Sequence, residues 1–208
     1  MPTYAWPSAI LPSRLRMKLI ANTQSGGRSP FDGTEQTLEL PGARWAADLT
    51  FEGLPAEEHR PFLAFLTNLR GRAGRFTWQV PMPRIGVAGG TPLIRQAGLT
   101  GRVVRSNGWG AGVAVSPGDW ISWVDPTGRW ALHQVTGDAS DAPNPVNSAS
   151  GIADFSVTPP LRRSPALNAP IYPGVGIGVF RLAEDEAGLD IARGLMGGGN
   201  LRIEEAIW

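Results

Sequence analysis

The sequence predicts a mainly β protein, a β-sandwich or sheet with one packed α-helix, into which a small all-β module is inserted. Glycine (27) and proline (19) approach a quarter of the 208 residues, which is typical of many short strands and turns. Residues 43–80 change from a two-residue hydrophobic period to a helical one and back. Residues 83–165 contain several short strand patterns and almost no helical period.

Two strands of the segment 43–80 have one apolar and one polar face. Apolar side chains occupy every second position from Trp45 to Phe51, and again from Phe76 through Trp78 to Val80. Because alternate residues of a strand point to opposite faces, each run predicts a half-buried strand.

The helix between these strands is predicted to span about residues 57–70. Its apolar stripe, with spacing i, i+3, i+4 and i+7, consists of Phe62, Phe65, Leu66 and Leu69. Glu57 and Glu58 suit the first turn, whereas Arg70 suits the last turn and Gly71 the C′ position. Pro61 is compatible with a helix that begins near Glu58, because its missing N–H would then belong to the unpaired first turn. The residues expected to build this core, or to support assembly through it, are Trp45, Phe51, Phe62, Phe65, Leu66, Leu69, Gly71, Phe76 and Trp78.

The chain before this segment predicts an arm, a strand, a turn region and a second strand. Residues 1–13 hold three prolines around Trp6, and proline is excluded from central strands, so we expect an extended arm that packs on another surface. Residues 14–22 alternate apolar and basic side chains, residues 22–33 are rich in turn residues, and residues 34–40 predict the next strand.

The predicted organisation is a discontinuous outer domain of residues 1–82 and 166–208 around an inserted module of residues 83–165. Within the module we expect strands near residues 101–106, 112–115, 119–124, 129–136 and 152–158. Alternation returns after residue 171, a surface loop is predicted over residues 184–199, and a last strand is predicted from Leu201 to Trp208.

Charge and composition argue against several classes of protein. The 19 Lys and Arg are balanced by 18 Asp and Glu, which gives no electrostatic reason to expect specific nucleic-acid binding. The chain has no cysteine, so it has no disulfide and no thiolate metal site. We expect a soluble protein without membrane association, because the sequence shows neither a signal peptide nor an apolar stretch of spanning length.

The sequence shows no set of residues typical of a catalytic, cofactor or metal site, so we expect no enzyme activity, no cofactor and no metal. His59 and His133 lie in different predicted domains without a third ligand of suitable spacing, and each is interpreted as a structural or surface residue. Asp138 and Asp141 do not match the EF-hand spacing, and turn capping is the simpler interpretation, although paired carboxylates of a glycosidase can come together from distant positions. The glycine runs at 174–178 and 197–199 match no phosphate-binding motif and indicate backbone flexibility or close backbone packing.

Tryptophan is abundant, with 8 residues in the chain. Three interpretations stay open: large side chains that fill a small core, anchors at a protein interface, and platforms for sugar stacking. The candidates for an interface are Trp6, Trp109, Trp120 and Trp123.

Several motifs are spread over most of the chain. They are Leu49-Thr50-Phe51 after Trp45, the helix Phe62 to Leu66 with Leu69-Arg70-Gly71 at its end, Phe76-Thr77-Trp78 before Pro81, Gly90-Thr91-Pro92, Pro117-Gly118-Asp119, Pro159-Pro160-Leu161-Arg162, and Phe180-Arg181-Leu182. Together they resemble tail-tip proteins of long-tailed bacteriophages, and in particular the distal tail protein of siphophage-type baseplates.

This resemblance implies a structural virion protein, made in the host cytoplasm and located at the tail tip. Its copies would form a ring, commonly a hexamer, that joins the tail tube protein to the baseplate hub protein. The outer domain would be a β-sandwich with one helix, and the module would point outward to carry tail fibres or receptor-binding proteins. The family offers no active-site residue to transfer to this chain.

Two alternatives stay open beside a distal tail ring. One is a carbohydrate-binding or glycan-degrading tail component, and the other is a different tail ring such as the tube or its terminator. For a ring, we expect the contacts between subunits at the arm around Trp6 and at the loops 22–33 and 184–199, since a ring requires matching surfaces on each subunit.

Overall fold

The computed structural model describes residues 3–81, 90–110, 115–137, 151–191 and 197–207. In this part of the chain the structure is mainly β with one α-helix, which confirms the predicted fold class. The strands are β1 (Thr3–Ala5), β2 (Arg14–Ile20), β3 (Thr23–Arg28), β4 (Glu35–Glu39), β5 (Arg44–Leu54), β6 (Arg75–Gln79), β7 (Gly90–Ile94), β8 (Gly101–Trp109), β9 (Trp120–Val124), β10 (Trp130–Val135), β11 (Ala153–Leu161), β12 (Tyr172–Pro173), β13 (Ile177–Leu182), β14 (Asp190–Ile191) and β15 (Gly197–Glu205). The predicted strand at 112–115 falls almost entirely outside the described residues, and Asp138 and Asp141 fall outside them.

The first sheet combines strands from both ends of the chain. Its order is β1-β6-β13-β15-β5-β2, with β14 paired to β15. All described pairs are antiparallel except β1 with β6, and Leu49 of β5 lies opposite both Leu201 of β15 and Leu15 of β2. The two strands that flank the helix, β5 and β6, are therefore in one sheet but are separated by β13 and β15.

The helix α1 spans Ala56–Leu69 and packs its predicted apolar stripe inward. Phe62, Leu66 and Leu69 are buried, and Phe65 is partly buried. The helix begins at Ala56, two residues before the start that Pro61 was expected to require, so Pro61 lies in the helix beyond its first turn.

The end of α1 differs from the prediction at Arg70. This residue does not lie in the last helical turn but takes the left-handed conformation itself, with φ of 53°, and its N–H donates to the Thr67 carbonyl. Gly71 follows with φ of 64°, and a Cβ at this position would lie 2.9 Å from the backbone of Asp185. Gly71 is thus fixed by its left-handed backbone and by the close approach of the segment after β13.

Trp6 fills the space between α1 and the first sheet. Its ring centroid lies 5.3 Å from that of Phe62 on the helix and 5.3 Å from that of Phe76 on β6, and its Nε1 donates to the Ile10 carbonyl at 2.8 Å. The N-terminal arm therefore packs on the core of its own chain, and β1 extends the sheet edge beside β6.

The second sheet has the order β12-β9-β10-β11-β8-β7, and every described pair in it is antiparallel. It extends past the boundary predicted at residue 165, because Tyr172 of β12 pairs with Ser122 of β9 and Pro170 forms a bridge with Leu93. Its own core consists of Ile94, Leu99, Val104, Trp109, Val115, Ile121, Trp123, Val135, Ala153, Phe155, Val157, Ala169 and Ile171.

Two predicted loops contain strands. Part of the turn region 22–33 is β3, which pairs with β4 to form a separate two-stranded hairpin, the β3–β4 hairpin. The region 184–199 contains β14 and the start of β15, where Gly197 and Gly199 lie opposite Leu54 and Phe51. The glycines at 197–199 are therefore ladder residues rather than loop residues.

The two sheets meet along β13 and the glycine-rich residues 174–178 that lead into it. A Cβ on Gly178 would lie 3.1 Å from the Leu132 side chain of the second sheet, and the neighbouring Gly176 is similarly confined. Nearby, the rings of Trp45 and Trp120 lie 4.7 Å apart. This agrees with the interpretation of residues 174–178 as a site of close packing.

Candidate functional site, the cleft between the two sheets

A cleft of about 670 Å³ lies where the two sheets meet. Its walls are formed by Glu39 at the end of β4, by residues 40–43, which connect β4 to β5, by β9 and β10, by residues 160–163 and by the end of β15. The volume is within the range of about 300–1,000 Å³ that is usual for ligand pockets.

Much of the lining of the cleft is apolar. Leu40 and Pro41 lie on one side, and Leu161 and Ile207 contribute further aliphatic surface. Trp130 is half-buried in the lining, and its ring meets that of the exposed Tyr172 at 5.2 Å edge to face. Such a surface favours an apolar or aromatic group as the occupant of the cleft.

An ion pair between the two sheets forms part of the cleft wall. Arg162 donates from Nη1 and Nη2 to the two carboxylate oxygens of Glu205, at 2.7 and 2.6 Å. Glu205 also accepts the Trp45 backbone N–H, and Arg162 Nη2 donates to the Ala43 carbonyl at 2.8 Å. The side chain of Glu205 is only 3% exposed, so this charge depends on Arg162 for its compensation.

His133 lies behind the ion pair as a neutral side chain. Its ring stacks on Trp123 with centroids 4.5 Å apart, and Nδ1 donates to the Pro159 carbonyl at 2.8 Å. Burial, with the positive charge of Arg162 as a second cause, lowers the pKa of His133 to about 3. His133 therefore does not exchange protons near neutral pH, in line with a structural role.

The rim of the cleft carries charges of both signs. Asp125 lies 3.8 Å from Arg163, and its carboxylate also accepts the backbone N–H groups of Thr127 and Arg129. Burial raises the pKa of Asp125, but a hydrogen bond from the Thr127 hydroxyl, the two N–H groups and Arg163 outweigh burial and hold the pKa below its usual value. Asp125 is thus ionised at neutral pH and orders the turn that presents Arg129.

The tryptophans proposed from the sequence as interface anchors are core residues in this chain. Trp109, Trp120 and Trp123 are 5%, 8% and 1% exposed, and Trp6 is half-buried against α1. Strand β9 shows the physical reason, because Trp120 to Trp123 are buried on both faces of the strand. A continuous apolar run of this kind is typical of a strand covered on both sides. The interface assignment of Trp109, Trp120 and Trp123 is therefore wrong for the isolated chain.

The predicted core and assembly residues are brought together by the first sheet and α1. Trp45, Phe51, Phe62, Leu66, Leu69, Phe76 and Trp78 are buried in one cluster, with Phe65 packed against it. Gly71 lies at the end of the helix, outside that cluster. These positions stabilise the folded chain, and Trp45 also donates its backbone N–H to Glu205.

His59 is more buried than its polar neighbours in the sequence suggested. It is 3% exposed, although it lies in the first part of α1 beside Glu57 and Glu58. A Cβ on Gly197 would lie 2.9 Å from the Cβ of His59, which shows that β15 covers this side chain. Of the two interpretations, a structural or a surface residue, burial favours the structural one for His59.

Sequence reasoning did not single out Phe31, which is 97% exposed at the tip of the β3–β4 hairpin. Every described residue of β3 and β4 is exposed, including Leu38 at 60%. The residues of β3 have no apolar alternation, so hydrophobic periodicity gives no signal for this strand. The turn residues Ser29-Pro30 and Asp32-Gly33 were the available signal for a hairpin tip.

Metal ligands, membrane-spanning helices and related proteins would each indicate a function. Among the described residues, no group of three or more His, Asp or Glu side chains is placed to hold a metal ion. The helix α1, with 14 residues, is too short to cross a membrane, and the described segments contain no other candidate. No protein-family model matches this chain, and no curated protein gives a match.

Proposed function

We propose that the protein is a structural subunit whose copies assemble into a ring at the distal end of a long phage tail. The observation that carries this proposal is the β3–β4 hairpin, in which every residue of both strands is exposed. A two-stranded hairpin alone is only marginally stable in water, and one without a buried face gains little from its own chain. A second chain that covers it would supply the missing contacts.

The anchoring of the hairpin supports this role. At its base the Leu40 N–H donates to the Asn22 carbonyl at 2.7 Å, and Arg102 of β8 donates to both carboxylate oxygens of Glu39 at 2.8 and 2.7 Å. The first contact closes the base of the hairpin and the second ties that base to the second sheet, while the strands of the hairpin remain exposed. This arrangement suits an arm that reaches a neighbouring subunit.

The resemblance to distal tail proteins supports the location and the partners. The motifs include β5, α1 and β6, which build the core of the first sheet. Phe51, Phe62 and Phe76 of these elements each contact the ring of Trp6. In a tail tip, one face of the ring would contact the tail tube protein and the other the baseplate hub protein. The second sheet would carry tail fibres or receptor-binding proteins, and the subunit would be made in the host cytoplasm.

Light scattering after size exclusion, over a range of protein concentrations, tests this proposal. We expect a closed oligomer with a mass near six subunits. A matched variant replaces residues 23–39 by a short Gly-Ser turn, which removes no residue of either core. That variant should be a folded monomer by near-UV circular dichroism, and a wild-type monomer at all concentrations would contradict the ring.

A carbohydrate-binding tail component is the second candidate, and Trp130 is the observation that favours it. Its half-buried ring lines the cleft and contacts Tyr172, so a sugar ring could stack there. Titration with host-surface glycans would then change the tryptophan fluorescence of the wild type but not that of Trp130→Leu. An unchanged wild-type signal across the glycans would contradict this second function.

A further inference from the structure

We propose that strand β2 is a docking edge, to which an extended acidic segment of a partner protein adds as a further strand of the first sheet. The segment would alternate carboxylate and apolar side chains. The partner is a different protein rather than a second copy of this chain, so the inference goes beyond the proposed ring and does not depend on it. Addition of a strand to a sheet edge is a recurring mode of peptide recognition.

Strand β2 lies at one end of the first sheet. It pairs with β5 over all seven of its residues, and no strand in the described part of the chain pairs with its other side. In an antiparallel pair, alternate residues turn their N–H and C=O groups away from the paired strand. About half of the backbone groups of β2 are therefore open to another strand.

The edge at β2 lacks the features that shorten or interrupt the other ends of the two described sheets. β1, at the opposite end of the first sheet, has three residues, and β12 has two. β7 contains Pro92 and an irregular register, and both proline and bulges hinder the addition of a strand. β2 has no proline and no break in its register, and with seven residues it is the longest of these end strands.

The charged side chains of β2 are all cations and share one face. Arg14, Arg16 and Lys18 occupy alternate positions, opposite the face that packs on the core. Lys18 is paired with Asp48 of β5, whereas Arg14 and Arg16 are exposed and form no ion pair with another described residue. An added strand would place its own side chains about 4.5–5.5 Å from these cations, where carboxylates are favourable and further cations are not.

The opposite face of β2 favours apolar residues between the acidic ones. Leu15 and Met17 are only partly buried against the core, and Leu19 is 41% exposed. Apolar side chains of the added strand would cover these residues from the open side. Because successive side chains of a strand point to opposite faces, the partner must alternate acidic and apolar residues to match both faces of β2.

The same charges disfavour the β2 strand of a second copy as the partner. Two β2 strands joined with like faces together would place Arg14, Arg16 and Lys18 of one copy beside the same cations of the other. With the faces reversed, these cations would lie beside Leu15 and Met17 instead. Repulsion of this kind excludes wrong partners and leaves the edge open to a strand of opposite charge.

A heptapeptide of alternating Glu and Val, blocked at both ends, tests the proposal. Its affinity is measured by titration calorimetry, and its site by amide hydrogen exchange of residues 14–20. We expect saturable binding and slower exchange in about half of the amides of β2. A scrambled peptide of the same composition, without the alternation, should bind at least about tenfold more weakly. Equal affinity of the two peptides would indicate attraction to any polyanion, nucleic acid included, and would overturn the proposal.

Charge reversal provides the matched variants. Arg14→Glu combined with Arg16→Glu should abolish binding of the Glu–Val peptide and create binding of the corresponding Lys–Val peptide, because the backbone edge is unchanged. Arg60→Glu combined with Arg105→Glu changes the net charge equally at exposed arginines of α1 and β8. This control should keep the affinity for the Glu–Val peptide within about twofold, since salt screens distant charges. Equal loss of binding in the two double variants would contradict the assignment to β2.

Hydrogen exchange of the chain without peptide distinguishes the docking edge from self-assembly. If a second copy covered β2, protection of residues 14–20 would rise with protein concentration, and the Glu–Val peptide would lower the oligomer mass. That result would overturn the assignment of β2 to a different protein and leave the ring intact. A monomer that binds the peptide at β2 would contradict the ring and support the docking edge.

Discussion

Arg162 and Glu205 form a bidentate ion pair that joins the second sheet to the last strand of the first. The guanidinium nitrogens Nη1 and Nη2 lie 2.7 and 2.6 Å from the two carboxylate oxygens. Arg162 follows β11 and Glu205 ends β15, so the pair links two segments that fold into different sheets. This bidentate geometry adds a directional contact to the packing along β13 that holds the two sheets together.

Arg162→Leu should therefore destabilise the protein by about 2–4 kcal/mol, since it leaves a buried carboxylate without its cation. Adding Glu205→Gln to this variant should recover part of the loss, because a neutral amide can still accept the Trp45 N–H. Urea unfolding measures both effects. Arg102→Leu is the matched control: its bidentate pair with Glu39 is 47% and 45% exposed, and its loss should cost about 1 kcal/mol or less. Equal losses in the two single variants would refute the role of burial.

His133 should make folding sensitive to mildly acidic pH. The unfolded chain protonates this histidine near its usual pKa of 6.5, whereas the folded chain protonates it only near 3. Because the unfolded state binds the proton first, this contribution to stability is complete above about pH 6.5 and is lost as the pH falls towards 3. Between about pH 7.5 and about pH 5.5 the expected loss from this residue is about 1.4 kcal/mol.

His133→Asn isolates this effect from those of other groups. Asparagine does not titrate, and its amide can keep the hydrogen bond to the Pro159 carbonyl. The free energy of unfolding of wild type and variant is measured at both pH values. The wild type should lose about 1.4 kcal/mol more than the variant on acidification, and parallel losses would show that His133 does not carry the dependence.

Some elements were predicted because one of their faces is polar and the other apolar. Strand β5 and helix α1 follow their hydrophobic periods because each buries one side only. Strand β4 was predicted over residues 34–40, but its partner β3 was missed because the β3–β4 hairpin buries neither side, so the residues of β3 show no apolar alternation. The strand at residues 197–199 was missed for a related reason. Glycine has no side chain and so contributes nothing to a hydrophobic pattern, although its backbone pairs with β5.

The candidate site could not be predicted from local patterns. Arg162 and Glu205 are 43 positions apart, and His133 contacts Pro159 across 26 positions. Each of these residues looks ordinary among its neighbours, and only the meeting of the two sheets gives it a role. The exposure of Phe31 could not be predicted from the sequence either, because a phenylalanine in a turn can be buried or exposed.

Gly178 should be intolerant of a side chain. A Cβ there would lie 2.9 Å from the Phe180 ring and 3.1 Å from Leu132, so Gly178→Ala should cost about 1–3 kcal/mol through overpacking where the sheets meet. Gly188→Ala is the matched control, because Gly188 also lacks a left-handed backbone but has no atom within 4 Å. Its stability should change by less than about 1 kcal/mol in either direction. Thermal unfolding of both variants gives the comparison, and equal midpoints would contradict the tight contact.

Substitutions of Trp6 distinguish two roles for the N-terminal arm. The arm is either a core contact within the chain or an anchor on a neighbouring copy. Its ring contacts Phe62 and Phe76, and it is half-buried, so Trp6→Ala should destabilise the folded chain by about 2–4 kcal/mol. Trp6→Phe keeps an aromatic ring but loses the hydrogen bond to the Ile10 carbonyl, and should cost about 1 kcal/mol or somewhat more. Amide hydrogen exchange should show faster opening of β1 in Trp6→Ala, because the ring holds that strand beside β6. If Trp6 were an anchor on another copy, Trp6→Ala would instead lower the oligomer mass and leave the unfolding of the monomer unchanged.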